Sequence, residues 1–110
     1  MDKRNKNLLQ GTLDMLILRA LRDEARHGWG IQQRINQIGA EDLLLNQGSL
    51  YPALARLGAQ GYLDTEWNVT ENGRRAKYYK LTQAGRKQLS AEVEQWRRYA
   101  QVVDLILDTI

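Results

Sequence analysis

The chain has 110 residues, a length that fits one small domain, and its formal net charge is +3. It contains no cysteine and a single histidine, which excludes disulfides, cysteine nucleophiles and cysteine-built metal sites. The sequence shows no signal peptide, no apolar run long enough to span a bilayer, and no catalytic, cofactor-binding or metal-binding motif. We therefore expect a cytoplasmic protein that uses no cofactor, does not enter membranes and is not an enzyme.

The positive charge is concentrated in two places. Residues 71–80 hold four basic side chains against one acid, and residues 1–6 hold three against one. Residues 99–110, in contrast, hold two acids and no base. Focused positive charge suits a polyanionic partner such as DNA, although a solvated charged loop would have the same composition.

Three short helices are predicted in the first half of the chain. Apolar residues recur there at helical spacing in Thr12–Arg22, Gly28–Ile38 and Ser49–Gln60. Glycines at positions 39 and 61 follow the second and third of these segments and are natural stop residues.

Capping residues predict where two of these helices begin. Gly11-Thr12 is the predicted N-cap region of the first helix, with Asp14 in a first turn where the helix dipole favours an acid. Ser49 is the predicted N-cap of the third helix. This cap puts Pro52 at the third helical position, where its missing N–H costs no intrahelical bond.

A change from helical to alternating periodicity then predicts a β-hairpin. Residues 63–69 and 77–81 alternate between apolar and polar positions, and Asn72-Gly73 between them is a strong turn signal. A lone hairpin is not stable in water, so one of its faces must pack on the helices. This face comprises Leu63, Trp67, Tyr79 and Leu81.

A long fourth helix is predicted to start at Thr82, a good N-cap, and to reach the C-terminus. Its apolar residues keep a heptad spacing over three heptads, which is typical of helices that pair. We call these positions the seam: Leu89, Val93, Trp96, Ala100, Val103, Leu107 and Ile110. The prediction is a DNA-binding domain at residues 1–81 and a dimerisation helix at residues 82–110.

The predicted order of elements, α1-α2-α3-β-wing-β-α4, is that of a winged helix-turn-helix, a mostly α fold with a small β-hairpin (α+β). In such folds the third helix enters the major groove, and the hairpin, or wing, lies along the backbone or minor groove. Small and polar residues at the start of the third helix would reach base edges, and wing cations would contact phosphates. The candidate DNA-binding residues are Gln47, Gly48, Ser49, Tyr51, Arg74, Arg75, Lys77 and Tyr78.

Three segments of the chain resemble the PadR family of bacterial transcriptional regulators: His27–Ile31, Gly48–Leu54 and Glu71–Thr82. The resemblance implies a homodimer that binds a palindromic operator in double-stranded DNA, usually as a repressor that a small effector releases. The single C-terminal helix resembles the short branch of the family. Trp29 departs from the usual tyrosine of the pattern, and Gly58 departs from the usual charged residue.

Trp96 lies in the middle of the seam, and the resemblance implies a place there for a flat aromatic or hydrophobic effector between the protomers. Tyr99, Ala100 and Val103 lie near it along the helix. The alternative is that these four residues only pack in the dimer core.

Other interpretations stay open at this point. Winged helices also serve as protein–protein interaction modules without specific DNA binding, although a basic wing disfavours that function. Tyr51 could be a packing residue rather than a DNA contact. His27 is expected to be structural, in the turn between the first two helices, and Asp104 and Asp108 are expected to lie on a solvated face rather than to bind a metal.

Overall fold

The computed structural model describes residues 3–40 and 42–110, and side chains from residue 12 onward. Within these ranges it has four helices and one three-stranded antiparallel sheet. The helices are α1 (Lys3–Ala20), α2 (Gly28–Gly39), α3 (Gln47–Ala59) and α4 (Gln83–Thr109). The strands are β1 (Arg26–His27), β2 (Leu63–Val69) and β3 (Arg75–Leu81), in the sheet order β1-β3-β2. The predicted winged helix-turn-helix is confirmed.

The hydrophobic core lies where α1, α2 and α3 meet. Its largest fully buried side chains are Ile17, Leu18, Leu21, Ile31, Leu50, Leu54 and Leu57. Full burial of each such aliphatic side chain stabilises the fold by about 1.5–3 kcal/mol relative to exposure. Leu63 and Leu81 from the sheet and Leu89 from α4 join the same cluster. The core therefore fixes the sheet and the start of α4 against the three-helix unit.

Helix α1 begins well before the predicted start. It runs from Lys3, so Gly11-Thr12 lies inside the helix and is not its cap. Asp14 consequently lies in mid-helix, where its carboxylate forms an ion pair with Arg56 of α3, 2.5 Å apart. An interior glycine costs a helix only about 1 kcal/mol. The good helix formers on either side of Gly11 therefore carry the helix through it.

Helix α3 also begins earlier than predicted, because Asn46 and not Ser49 is its N-cap. The Asn46 Oδ1 accepts a hydrogen bond from the Ser49 backbone N–H at 2.9 Å. Pro52 is thus the sixth helical residue, beyond the first turn, where its missing N–H removes one intrahelical hydrogen bond.

The turn between α2 and α3 is held by side-chain amides of α2. The Asn36 amide donates to the Leu45 carbonyl at 3.0 Å and accepts from the Leu45 N–H at 2.6 Å. Gln32 donates to the same carbonyl at 2.9 Å. Gly39 is the last residue of α2 rather than its stop, and the positive φ of 50° falls on Ala40. These bonds satisfy buried backbone groups and set the direction in which α3 leaves the turn.

We call the hairpin of β2, β3 and the loop 70–74 the wing. Its predicted inward face exists, but only its base is covered: Leu63 and Leu81 are buried and Tyr79 packs against the core. The prediction that Trp67 packs on the helices is wrong, since its side chain is 62% exposed. The strands extend past the end of the helical layer, so their outer residues have no helix to pack on.

Helix α4 starts as predicted, with the Thr82 Oγ1 accepting from the Gly85 N–H at 3.0 Å. Its 27 residues make a rod about 40 Å long. The first part of the seam belongs to the core, through Leu89 and Val93, whereas the part beyond Trp96 projects from the domain. In the described ranges no helix, α4 included, has the length and apolar character of a membrane span. The role of residues 82–110 as a dimerisation unit stays a prediction.

Candidate nucleic-acid interface

The start of α3 presents a small polar surface. Gln47 and Gly48 are exposed, and Ser49 is half-buried in the first helical turn. Because Asn46 is the N-cap, α3 begins about one turn earlier than it would if Ser49 were the cap. The candidate base-reading positions therefore all lie on regular helix and not in the preceding loop.

Tyr51 lies across the first residue of α2. A Cβ atom added at Gly28 would come within 2.7 Å of the Tyr51 hydroxyl oxygen and 2.9 Å of its ring carbons, so only glycine permits this contact. The Tyr51 side chain is nevertheless 45% exposed. Burial raises the pKa of the Tyr79 phenol, and the neighbouring Tyr51 adds to the rise, which keeps Tyr79 protonated. Tyr51 thus packs on one side and faces solvent on the other.

His27 organises the neighbouring part of the surface. Its Nδ1 accepts from the Gly30 N–H at 3.0 Å, which caps α2, as a structural residue at this turn was expected to do. Its ring meets Tyr78 edge to face, with centroids 5.3 Å apart, and stacks on Trp29 at 6.3 Å. The strand pairing His27↔Tyr78 brings these residues together.

The wing tip is a tight loop between Thr70 and Arg74. Thr70 donates its N–H to the Arg74 carbonyl at 2.7 Å, and its carbonyl accepts from the Gly73 N–H at 2.9 Å. Gly73 has a φ of 79°, whereas Asn72 keeps a negative φ, so only the glycine of the predicted Asn72-Gly73 turn signal adopts the left-handed conformation. The loop leaves the side chains of Arg74, Arg75 and Lys77 exposed.

A groove with a volume of about 870 Å³ connects these parts, and we call it the wing groove. Its walls are the start of α2, Tyr51 and the inner side of β3 with the wing tip. Five basic side chains line it: Arg26, Arg34, Arg74, Arg75 and Lys77. Two acids, Glu24 and Glu71, also line the groove, so its formal charge is +3. Glu24 forms an ion pair with Arg26 at 3.1 Å. The groove brings together Tyr51, Tyr78 and the wing cations of the predicted site, while Gln47, Gly48 and Ser49 lie outside it.

Comparison with known proteins places the chain in a family. Residues 17–91 match the Transcriptional regulator PadR-like family, which covers α2, α3, the wing and parts of α1 and α4. The chain belongs to the PadR-like family. It is accordingly a transcriptional regulator of the DNA-binding winged-helix type.

Individual relatives and solved structures agree with this assignment. A transcriptional regulator of Mycobacterium tuberculosis is 36% identical over 76 residues, which are 69% of this chain and 67% of that protein. The structure resembles that of a PadR-like transcriptional regulator from Bacillus cereus, with a TM-score of 0.82, 25% identity, and coverage of 94% of this chain and 99% of the other. A PadR family regulator from Eggerthella lenta gives a TM-score of 0.81 and 30% identity, with coverage of 97% and 91%.

The four residues predicted to bind an effector lie on one face of α4 but differ in exposure in the single PadR-like chain. Trp96 and Tyr99 are exposed neighbours, with ring centroids 6.4 Å apart and planes tilted by 44°. Ala100 and Val103 are half-buried. Trp96 alone among the four lines a second concavity, of about 980 Å³, between α1 and α4. Whether these residues bind an effector stays a prediction.

Two residues of the interface region are not among the predicted DNA contacts. The sequence predicts a structural role for His27, yet its ring also forms part of the groove wall beside Tyr78. The sequence predicts a packed Trp67, yet this residue is exposed beside Arg75. The signal for His27 is its position directly before α2. No sequence signal marks where the hairpin leaves the helical layer, because that depends on the lengths of packed elements.

Proposed function

We propose that this PadR-like protein is a homodimeric repressor that binds a palindromic operator through α3 and the wing. The observation that carries the proposal is the wing groove, where Tyr51, the start of α2 and the wing cations converge on one concave, positively charged surface. A surface of this kind suits the phosphate backbone beside a major groove that holds α3. Gln47, Gly48 and Ser49 would then meet base edges, and Tyr78 would meet the backbone. A regulator of this kind would act in the cytoplasm.

The proposed dimer rests on the apolar surface of α4 beyond the core. Tyr99, Val102, Ile106 and Ile110 are exposed and follow one another at spacings of three and four residues. They form a second apolar stripe that meets the outer seam at Ile110, and Leu107 of the seam is exposed too. An exposed apolar surface this wide favours burial against a second copy, which a two-fold axis would bring to the same stripe.

The proposed effector is a flat aromatic or hydrophobic molecule that stacks on Trp96 near the dimer axis. Such a ligand changes DNA binding only if it binds one arrangement of the two protomers better than the other. With Trp29 and Trp67 replaced by Phe, binding of a planar hydrophobic dye should quench Trp96 emission. Trp96→Ala should weaken that binding about tenfold, or 1.4 kcal/mol. Unchanged emission across a panel of such dyes would leave Trp96 as a dimer-core residue.

The decisive experiment for DNA binding measures affinity for genomic promoter DNA against salt. The double substitution Arg74→Ala/Arg75→Ala should make the negative slope of log K against log salt shallower by about 1.8, since each phosphate contact contributes about 0.9 to its magnitude. The control replaces two exposed cations of α4, Lys87→Ala and Arg98→Ala, which lie outside the wing groove. An equal change in both double variants would mean that the wing makes no specific backbone contact.

The alternative function is a winged-helix module that binds another protein and no specific DNA. It would be supported if the parent chain bound random and promoter DNA equally weakly at physiological salt. Selection of bound sequences from a random pool separates the two functions, because an operator-binding dimer enriches a palindrome whose half-sites lie about 34 Å apart.

A further inference from the structure

The wing carries an exposed tryptophan that neither the core nor the proposed DNA contacts explain. Trp67 is on β2, the outer strand of the sheet, and its side chain is 62% exposed. A single exposed apolar ring is common on protein surfaces, so a role for Trp67 depends on whether its face has a local partner.

That partner is Arg75. The guanidinium carbon of Arg75 lies over the Trp67 ring, 5.6 Å from the ring centroid, within the range of a cation–π contact. In the strand register Trp67 faces Lys77, and Arg75 faces Val69, so Arg75 reaches Trp67 along the diagonal of the same face.

Arg75 also lines the wing groove, which Trp67 does not. The arginine therefore has the tryptophan on one side and the proposed path of the DNA backbone on the other. A free arginine side chain samples many rotamers and loses that freedom when it binds a phosphate. The ring restricts those rotamers before DNA arrives.

We propose that Trp67 is a positioning residue that holds the Arg75 guanidinium toward the DNA backbone. The inference rests on the proposed DNA-binding function and deepens it. Trp67 acts through Arg75 and makes no DNA contact of its own.

A double-mutant cycle tests the proposal on DNA affinity. Trp67→Ala should weaken binding about fivefold, the upper range for a cation–π contact at an exposed site. In an Arg75→Ala background the same substitution should add no loss beyond measurement error, because the group that Trp67 positions is absent. Trp67→Phe should keep most of the affinity, since it keeps an aromatic face, whereas Trp67→Leu should behave like Trp67→Ala.

Arg74 supplies the matched control, because it is an exposed cation of the same wing whose guanidinium does not lie over the Trp67 ring. Losses from Trp67→Ala and Arg74→Ala should add. In a chain with Trp29→Phe and Trp96→Phe, Arg75→Ala should shift the Trp67 emission of the free protein, and Arg74→Ala should not.

The outcomes separate this proposal from the proposed function. If Trp67→Ala weakens binding equally with and without Arg75, Trp67 touches DNA itself and the positioning role is wrong. The role is also wrong if Trp67→Ala lowers the melting temperature while affinity per folded molecule holds. If the parent chain binds no DNA, the proposed function fails, and the emission comparison still decides whether the Trp67–Arg75 stack exists in solution.

Discussion

At the scale of single residues, the contact between Gly28 and Tyr51 links packing to the proposed DNA surface. The glycine permits the tyrosine ring to lie across the start of α2, and the ring keeps its outer side in solvent. The sequence leaves two interpretations for Tyr51, a packing residue or a DNA contact. The structure gives the ring both a packed side and an open side, so its contribution to DNA affinity must be measured separately from its contribution to stability.

Gly28→Ala is expected to displace the Tyr51 ring, because the new methyl group would come within 2.7 Å of the hydroxyl oxygen. Because the contacted atoms are the outer end of a side chain that is 45% exposed, the ring can move aside, and the loss should be about 1 kcal/mol, the lower end for overpacking. Urea unfolding measures the loss, and a Gly28→Ala/Tyr51→Ala chain should lose less than the sum of the single variants.

Gly58→Ala is the matched control for that experiment. Position 58 lies in α3, and a methyl group added there would meet no side chain or other packed element among the described residues within 4 Å, so alanine should stabilise the helix by about 0.5–1 kcal/mol. If both glycine variants changed stability by the same amount and sign, the close contact at Gly28 would not be the cause.

At the scale of elements, the cap of α3 decides where the proposed recognition helix begins. Asn46 accepts from the Ser49 N–H, so the helix includes Gln47, Gly48 and Ser49. The Asn36 and Gln32 amides bind Leu45, the residue directly before this cap. The turn and the cap thus form one hydrogen-bonded unit that orients α3.

Asn46→Ala should cost about 1 kcal/mol of unfolding free energy, the usual loss for an N-cap. Ser49→Ala should leave stability nearly unchanged, although it would weaken DNA binding if the hydroxyl contacts the operator. Chemical denaturation measures the unfolding free energy of each variant, and DNA titration measures the DNA affinity of each. A larger stability loss for Ser49→Ala than for Asn46→Ala would contradict the cap assignment.

At the scale of the whole molecule, the chain is elongated because α4 extends beyond the core. The molecule measures 55 × 30 × 22 Å, and the projecting part of α4 carries its exposed apolar stripe. Ile106 lies in the middle of this stripe and is 49% exposed. In a single chain this surface has no cover among the described residues, and the proposed dimer would bury it.

Ile106→Lys is therefore expected to convert a dimer into a monomer at micromolar concentration, as read by sedimentation velocity, because a buried unpaired charge is costly. Gln101→Lys is the control, since position 101 lies about 140° around the helix from position 106 and is exposed. A parent chain that is a well-folded monomer at that concentration would contradict the proposed dimer directly.

The amino-acid sequence was enough to predict the order of the four helices and the hairpin, the cap of α4 at Thr82, and the helical spacing of the core residues in α1 and α3. These features depend on local periodicity and capping chemistry, which neighbouring residues contain in full. The three segments that resemble the PadR family also predicted a transcriptional regulator, and comparison with known proteins then showed that family.

Which residues come into contact depended on the packing of elements that are distant in the sequence. The two-residue strand β1 is too short to have a periodicity, and it exists because His27 pairs with Tyr78. The hairpin pattern predicts Trp67 on the buried face, but burial depends on how far the helical layer reaches, and that layer ends before Trp67. Alternation along a strand fixes the face of a residue, whereas the extent of the partner surface fixes whether that face is covered.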